Sequence, residues 1–190
     1  LLYQDLSKSN IEDILQLLHK VDWENTEVSE FTIECLTMAY HVKYNNIAYL
    51  ASIVSGLNDE IDAIGIHVVD GVMEDIRLGM EVNTPKYNQR RLAMMKYMGE
   101  LYKYRVAESN EVFQILYSLI SFGVSLSYAQ PSDLDPPNHL FRIRLSCVLL
   151  ETCGKYFIGG TNCKKLDYFL IYFQRYFWFK YEDPYWKTAD

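Results

Sequence analysis

The stretch GIHVVDGVMEDIRLGME, from Gly65 to Glu81, decides the fold class of this chain. At about 100° per residue, Val69, Val72, Met73, Ile76 and Met80 gather in one arc roughly 100° wide. Asp70, Glu74, Arg77 and Glu81 follow the spacing i, i+4, i+7, i+11 and form a separate stripe beside that arc. The period predicts an amphipathic helix over about Ile64 to Glu81. Its stability is poor for its length. Stacked like charges cost a few tenths of a kcal/mol per pair, and Glu81 stands at the end where the macrodipole disfavours an anion. Gly71 and Gly79 cost about 1 kcal/mol each against Ala. Small residues beside an acidic row suit close approach by a partner bearing Lys or Arg. Asp70, Glu74 and Glu81, with Arg77 among them, are therefore expected to form a protein-docking face.

Helical signals continue in both directions. Ser9-Asn10-Ile11-Glu12 has the form of a capping box and opens a run with Ile11, Ile14, Leu15 and Leu18 on one face. Thr26 is expected to cap a second helix to about Val42, with Phe31, Cys35, Leu36 and Met38 turned inward. A third is expected from about Lys43 to Leu57. Thr84-Pro85 marks a helix start, because proline's missing N–H would be unpaired there anyway. That helix is read to about Val106, and the next from a cap at Ser109 to Phe122, stopped by Gly123. Ser125 to Pro137 holds three of the five prolines and reads as the one long loop. Two more helices are expected, at about Pro137–Lys155 and Thr161–Lys180, separated by Gly159-Gly160. No sustained period-2 pattern and no Asn-Gly or Asp-Gly hairpin turn occurs. The reading is all-α: roughly eight helices in stacked antiparallel hairpins, a degenerate HEAT-like solenoid.

Composition bounds the function. The 190 residues suffice for one domain with a sizeable core, and 49% are apolar. No apolar run approaches the ~20 residues of a membrane span, and no targeting pattern opens the chain. Its ends read as those of one domain cut from a longer protein. The net charge of -7 disfavours autonomous wrapping of nucleic acid, which needs clustered cations, and suits a basic partner. Cys35, Cys147, Cys153 and Cys163 form no C-x-x-C pair, and reduced, buried thiols are expected.

Catalysis finds little support. His19, His41, His67 and His139 belong to no H-E-x-x-H pair or triad order, so no metal or cofactor is expected. Gly159-Gly160-Thr161-Asn162 lacks the lysine and spacing of a phosphate-cradling loop. Carboxylates on an exposed face with no nucleophile nearby read as partner-facing, and the chain as no enzyme. The rival reading is an RNA-binding helical domain. It would use a basic patch around Arg90 and Arg91, with Lys96, Lys103, Arg105, Arg142 and Arg144. Tyr168 to Trp178 is apolar almost all the way round and reads as a buried packing helix rather than a base-stacking one.

The stretch GIHVVDGVMEDIRLGMEVNTPKYNQRR (Gly65 to Arg91) closely resembles the third middle domain of the up-frameshift scaffold family of nonsense-mediated mRNA decay. LDPPNHLFRIRL (Leu134 to Leu145), SFGV around Phe122, and LDYFLIYFQRY (Leu166 to Tyr176) match the same domain. The resemblance implies the fold of the middle domain of translation initiation factor 4G, a stack of HEAT-like hairpins. It implies a partner as well: the RNA-recognition-motif domain of the third up-frameshift protein, which links the scaffold to exon-junction complexes. That partner would present Lys and Arg to Asp70, Glu74 and Glu81. The family further implies contact with the pathway's phosphatidylinositol-kinase-like kinase and weak RNA contact alongside the partner; a cytoplasmic location, which allows a perinuclear one, is expected.

Overall fold

A computed structural model describes residues 2–3, 6–61 and 63–182, and these contain eight α-helices and no strand. They are α1 (Ile11–Leu18), α2 (Thr26–Thr37), α3 (Ile47–Asn58) and α4 (Ile64–Glu81), followed by α5 (Asn88–Lys103), α6 (Ser109–Ser121), α7 (Phe141–Cys153) and α8 (Gly160–Tyr181). Single 3-10 turns at Ala39–His41, Tyr44–Asn46, Pro85–Tyr87 and Gly154–Phe157 join some of them. Contacts skip one element at a time: α1 on α3, α3 on α5 and α5 on α7 make one layer. The second runs α2 on α4, α4 on α6 and α6 on α8. Helical hairpins stacked in series produce this pattern, and the all-α solenoid expected from the sequence is the observed fold.

The core follows α5, which is buried nearly all round from Arg91 to Leu101. Four consecutive apolar residues, Leu92-Ala93-Met94-Met95, exceed what one helical face can hold, so neighbours must cover several sides. α3, α4 and α7 do so. Tyr97 reaches from this helix to donate its hydroxyl to the Leu36 carbonyl at 2.9 Å.

Several local expectations are corrected. At α1 the Ser9 capping box does not form; the Asn10 side chain instead accepts from the Ser7 amide at 2.8 Å. Asn25, not Thr26, caps α2 by accepting from the Glu27 and Val28 amides. The helix ends at Thr37 rather than Val42, and Phe31 points to solvent instead of inward. The start expected at Lys43 and that at Pro85 are each a 3-10 turn before the helix proper. Glu108 with Glu111 forms the box that opens α6, placing Ser109 inside the helix. Gly123 does stop α6, in the left-handed conformation at φ 60° that an L side chain rarely adopts. Of the four free thiols only Cys153 is fully buried, and its pKa is pushed up to about 12 by that burial; Cys147 is exposed.

The largest departure is α8. Only Phe169, Tyr176 and Lys180 are fully buried on it, while Tyr168, Leu170, Ile171, Tyr172, Phe177, Trp178 and Tyr181 are exposed. It is not the all-round packing helix read from its composition. It lies at the end of the second layer, where, among the described residues, α6, the turn Gly154–Phe157 and the loop around Asp135 lie against it.

One polar cluster pins the long loop to the helices. The Asp135 carboxylate is fully buried and takes the Lys180 ammonium at 2.9 Å and the Tyr176 hydroxyl at 2.9 Å. Arg142, equally buried, stands 3.6 Å away and donates to the carbonyls of Leu119, Phe122 and Leu134. Loop, α6, α7 and α8 therefore meet on one anion. His139 lies at its edge, 4.0 Å from Asp135. Burial lowers the His139 pKa; Asp135 opposes that, while Arg91, Lys180 and Arg142 reinforce it. The unfolded chain thus binds this proton more readily than the folded one. Stability from this group is complete above the ordinary value of 6.5 and is lost as pH falls toward the depressed folded value. Urea midpoints are expected to drop as pH falls below 6.5, and His139→Gln to flatten part of that slope. An unaltered slope in the variant would assign the loss to other groups.

Candidate protein-docking face

α4 runs through the middle of the second layer, between α2 and α6. Its N-cap is Ala63 in the left-handed conformation at φ 70°, and the Asn58 side chain accepts from the Gly65 amide at 2.9 Å. The wheel read from the sequence holds on the inner side: Val69, Val72, Ile76 and Met80 are buried, joined by Val68, with Met73 partly covered. On the outer side Asp70, Glu74, Arg77 and Glu81 are all exposed and share one face. The structure brings the four expected residues together.

Their electrostatics differ from a simple acidic row. Arg77 grips Glu74 with two hydrogen bonds, Nε to Oε2 at 3.1 Å and Nη2 to Oε1 at 2.9 Å. Its Nη1 lies 3.7 Å from Glu81 Oε1 one turn on. The hydrogen bond from Arg77 holds the Glu74 carboxyl below its usual value, and Glu74 in turn raises Arg77. The helix is therefore less strained by like charge than the spacing alone implies, since i, i+3 and i, i+4 ion pairs offset the repulsion. Asp70 stands outside this clamp.

The glycines serve the interior rather than a visitor. A Cβ on Gly71 would come within 2.8 Å of the Thr37 side chain on α2, and one on Gly79 within 3.2 Å of Arg91 on α5. Close packing between helices of this chain thus explains residues that the sequence reading gave to a partner.

Two grooves flank the stripe. One, between α4 and α6, sets Asp70, Glu74 and Arg77 beside Met73, Met80 and the α6 residues Gln114 and Ser118. The other, of about 560 Å3 between α4 and α2, adds Glu30 and Glu34 to the acidic surface, next to His67. Sequence reasoning missed these α6 and α2 residues. Gln114, Glu30 and Glu34 are ordinary exposed positions on their own helices and Ser118 is half-buried, and only the stacking order brings them to α4.

The basic candidates fare differently. Arg90 is exposed but engaged: its Nε donates to Asp75 Oδ2 at 2.9 Å, and its guanidinium lies 4.1 Å from the Tyr40 ring centre. Arg91 is only 5% exposed, with its guanidinium 4.6 Å from the centre of Phe141. Burial, and then Arg142, lower its pKa to about 10. The expectation of Arg91 as a surface RNA contact is corrected: it faces the core because α5 is covered on most sides. Arg142 is likewise buried, Lys103 pairs with Glu100, and Lys96 lies over Tyr44.

A family model described as the MIF4G domain matches residues 1–186. "Regulator of nonsense transcripts 2" of Mus musculus is 54% identical over 180 residues, covering 95% of this chain and 14% of that protein. The Homo sapiens protein of the same name gives the same figures, 54%, 95% and 14%. "Regulator of nonsense transcripts UPF2" of Arabidopsis thaliana is 42% identical over 176 residues, 93% of this chain and 15% of that protein. The chain spans about one seventh of the length of these relatives, as the 14% and 15% shares state. With its two-layered helical stack and a match over almost its whole length, this chain belongs to the MIF4G domain family.

Proposed function

We propose that the chain is a non-catalytic scaffold domain of nonsense-mediated mRNA decay that docks a basic protein on the outer face of α4. The carrying observation is that Asp70, Glu74 and Glu81 stand exposed together beside grooves from α2 and α6. The names of the relatives support the pathway. The partner is the RNA-recognition-motif domain of the third up-frameshift protein, connecting the scaffold to exon-junction complexes in the cytoplasm. The pathway's phosphatidylinositol-kinase-like kinase is a further binder of the domain. Asp70, Glu74 and Glu81 take the partner's cations, and Arg77 holds two of the carboxylates in position.

RNA binding by the isolated domain is the weaker reading. Arg91 is buried and Arg90 is bound to Asp75, so the patch keeps little free charge there. RNA contact is assigned to the complex with the partner.

Charge reversal at one anchor tests the reading. Glu81→Arg is expected to weaken partner binding by about 2–5 kcal/mol, the range for losing one member of a desolvated charge pair. Because Glu81 is exposed, far-UV circular dichroism should stay unchanged. Calorimetry showing full affinity in the variant would remove α4 as the docking face. A salt-sensitive gel shift of RNA by the free domain that survives the reversal would favour the RNA reading instead.

A further inference from the structure

A third groove, of about 230 Å3, opens where the end of α4 meets the start of α5, on the side of α4 away from α6. Its lining includes Leu78, Gly79, Val82, Tyr87, Arg90 and Arg91. Arg91 is poorly satisfied. Nη1 makes long hydrogen bonds to Asn83 Oδ1 at 3.3 Å and Asn88 Oδ1 at 3.4 Å. Buried Nε and Nη2 have no acceptor. A buried donor without a partner is costly, and more so when it is charged.

The carboxylates at hand are committed elsewhere. Asp75, in the same groove, is held by Arg90. Asp135 serves Lys180 and Arg142, and Arg142 adds positive charge near Arg91. Only hydrogen stands on Gly79 where α4 passes the Arg91 side chain, and a Cβ there would lie 3.2 Å from Cγ and 3.7 Å from Nε of Arg91. Leu78, Val82 and Tyr87, which line the same groove, are each more than two-fifths exposed.

We propose that this groove binds a protein segment bearing a carboxylate beside an apolar side chain. The carboxylate accepts from Arg91 Nε and Nη2, and its apolar neighbour lies among Leu78, Val82 and Tyr87. A nucleic-acid backbone suits the groove less well. It would bring a row of negative charges to a chain of net charge -7, where the peptide segment brings a single carboxylate to a single unsatisfied guanidinium. The site is separate from the α4 stripe in chemistry as in place, because the stripe attracts cations.

The test titrates the isotopically labelled 190-residue chain with acetyl-leucyl-aspartyl-leucine amide, its asparaginyl counterpart and inorganic phosphate. The aspartyl peptide is expected to shift the amides of Leu78, Gly79 and Val82 saturably. The asparaginyl peptide should bind about tenfold more weakly, the order of one lost charge-assisted hydrogen bond. Val82→Asp, at an exposed position that leaves the core intact, should abolish the shifts. Equal binding of the two peptides, unchanged binding by Val82→Asp, or no shift with either peptide would overturn the proposal. So would phosphate binding as tightly as the aspartyl peptide, which would mark a generic anion site.

Discussion

Replacing Asp135 with Ala is expected to destabilise the chain by about 3–5 kcal/mol, since removing one partner of a buried pair strands the other charge. The carboxylate is shared by Lys180 and Arg142, both fully buried, and it also accepts from Tyr176. Two buried cations therefore lose the carboxylate they share, which puts the effect at the upper end of that range. For a chain of this length the loss corresponds to roughly 10 °C or more in Tm. Differential scanning calorimetry at neutral pH provides the measurement. Lys180→Met in the Asp135→Ala background should recover part of the loss, because it removes one of the stranded charges. A fall of under about 1 kcal/mol for Asp135→Ala would mean that water reaches the cluster and solvates both cations.

Phe157→Ala is expected to cost about 3–5 kcal/mol, the usual range for truncating a buried aromatic. The ring is almost wholly buried and meets Tyr102 at 4.9 Å and Phe113 at 5.0 Å between ring centres. Those neighbours belong to α5 and α6, whereas Phe157 ends the turn that follows α7. One side chain thus ties two hairpins together, and its loss opens a cavity where the layers join. Urea denaturation should show the midpoint falling, with Phe157→Leu retaining most of the stability. A loss no larger for Ala than for Leu would show that the site collapses around the gap.

The two residues behind these predictions show what a sequence displays and what it hides. α4 was legible from Ile64 to Glu81 because its apolar arc and polar stripe are both pure, and burial follows the wheel. Asp135 was not, although it lies within the stretch Leu134 to Leu145 that carried the family likeness. It sits in a loop, where no periodicity marks an inward side chain. Its partners Arg142 and Lys180 come from two different helices. From the sequence Arg91 reads as surface charge, because arginine usually is. The signal that bore on it was the unbroken run Leu92 to Met95, which marks α5 as covered on several sides. For α8 the error ran the other way. Apolar residues on every side say that burial would be favourable, but only the stack decides how many neighbours are present to supply it. Gly71 and Gly79 show in the sequence only as costs, and their benefit, contact with Thr37 and Arg91, depends on helices distant in sequence.

The clamp of Arg77 on Glu74 and Glu81 changes what docking on α4 must involve. The face is a resin already loaded with its own counterion. An arriving lysine or arginine does not simply add to an empty carboxylate; it competes with a guanidinium tethered a turn away, so the gain is a difference between two cations. Single basic groups, such as a free polyamine end or an unstructured lysine, profit little from such an exchange. A rigid partner that offers several cations at fixed spacing can take Asp70 outright and displace Arg77 from both its neighbours in one step. Selectivity for a folded basic surface over loose positive charge then arises from the loaded state of the helix, without any further contact having to supply it.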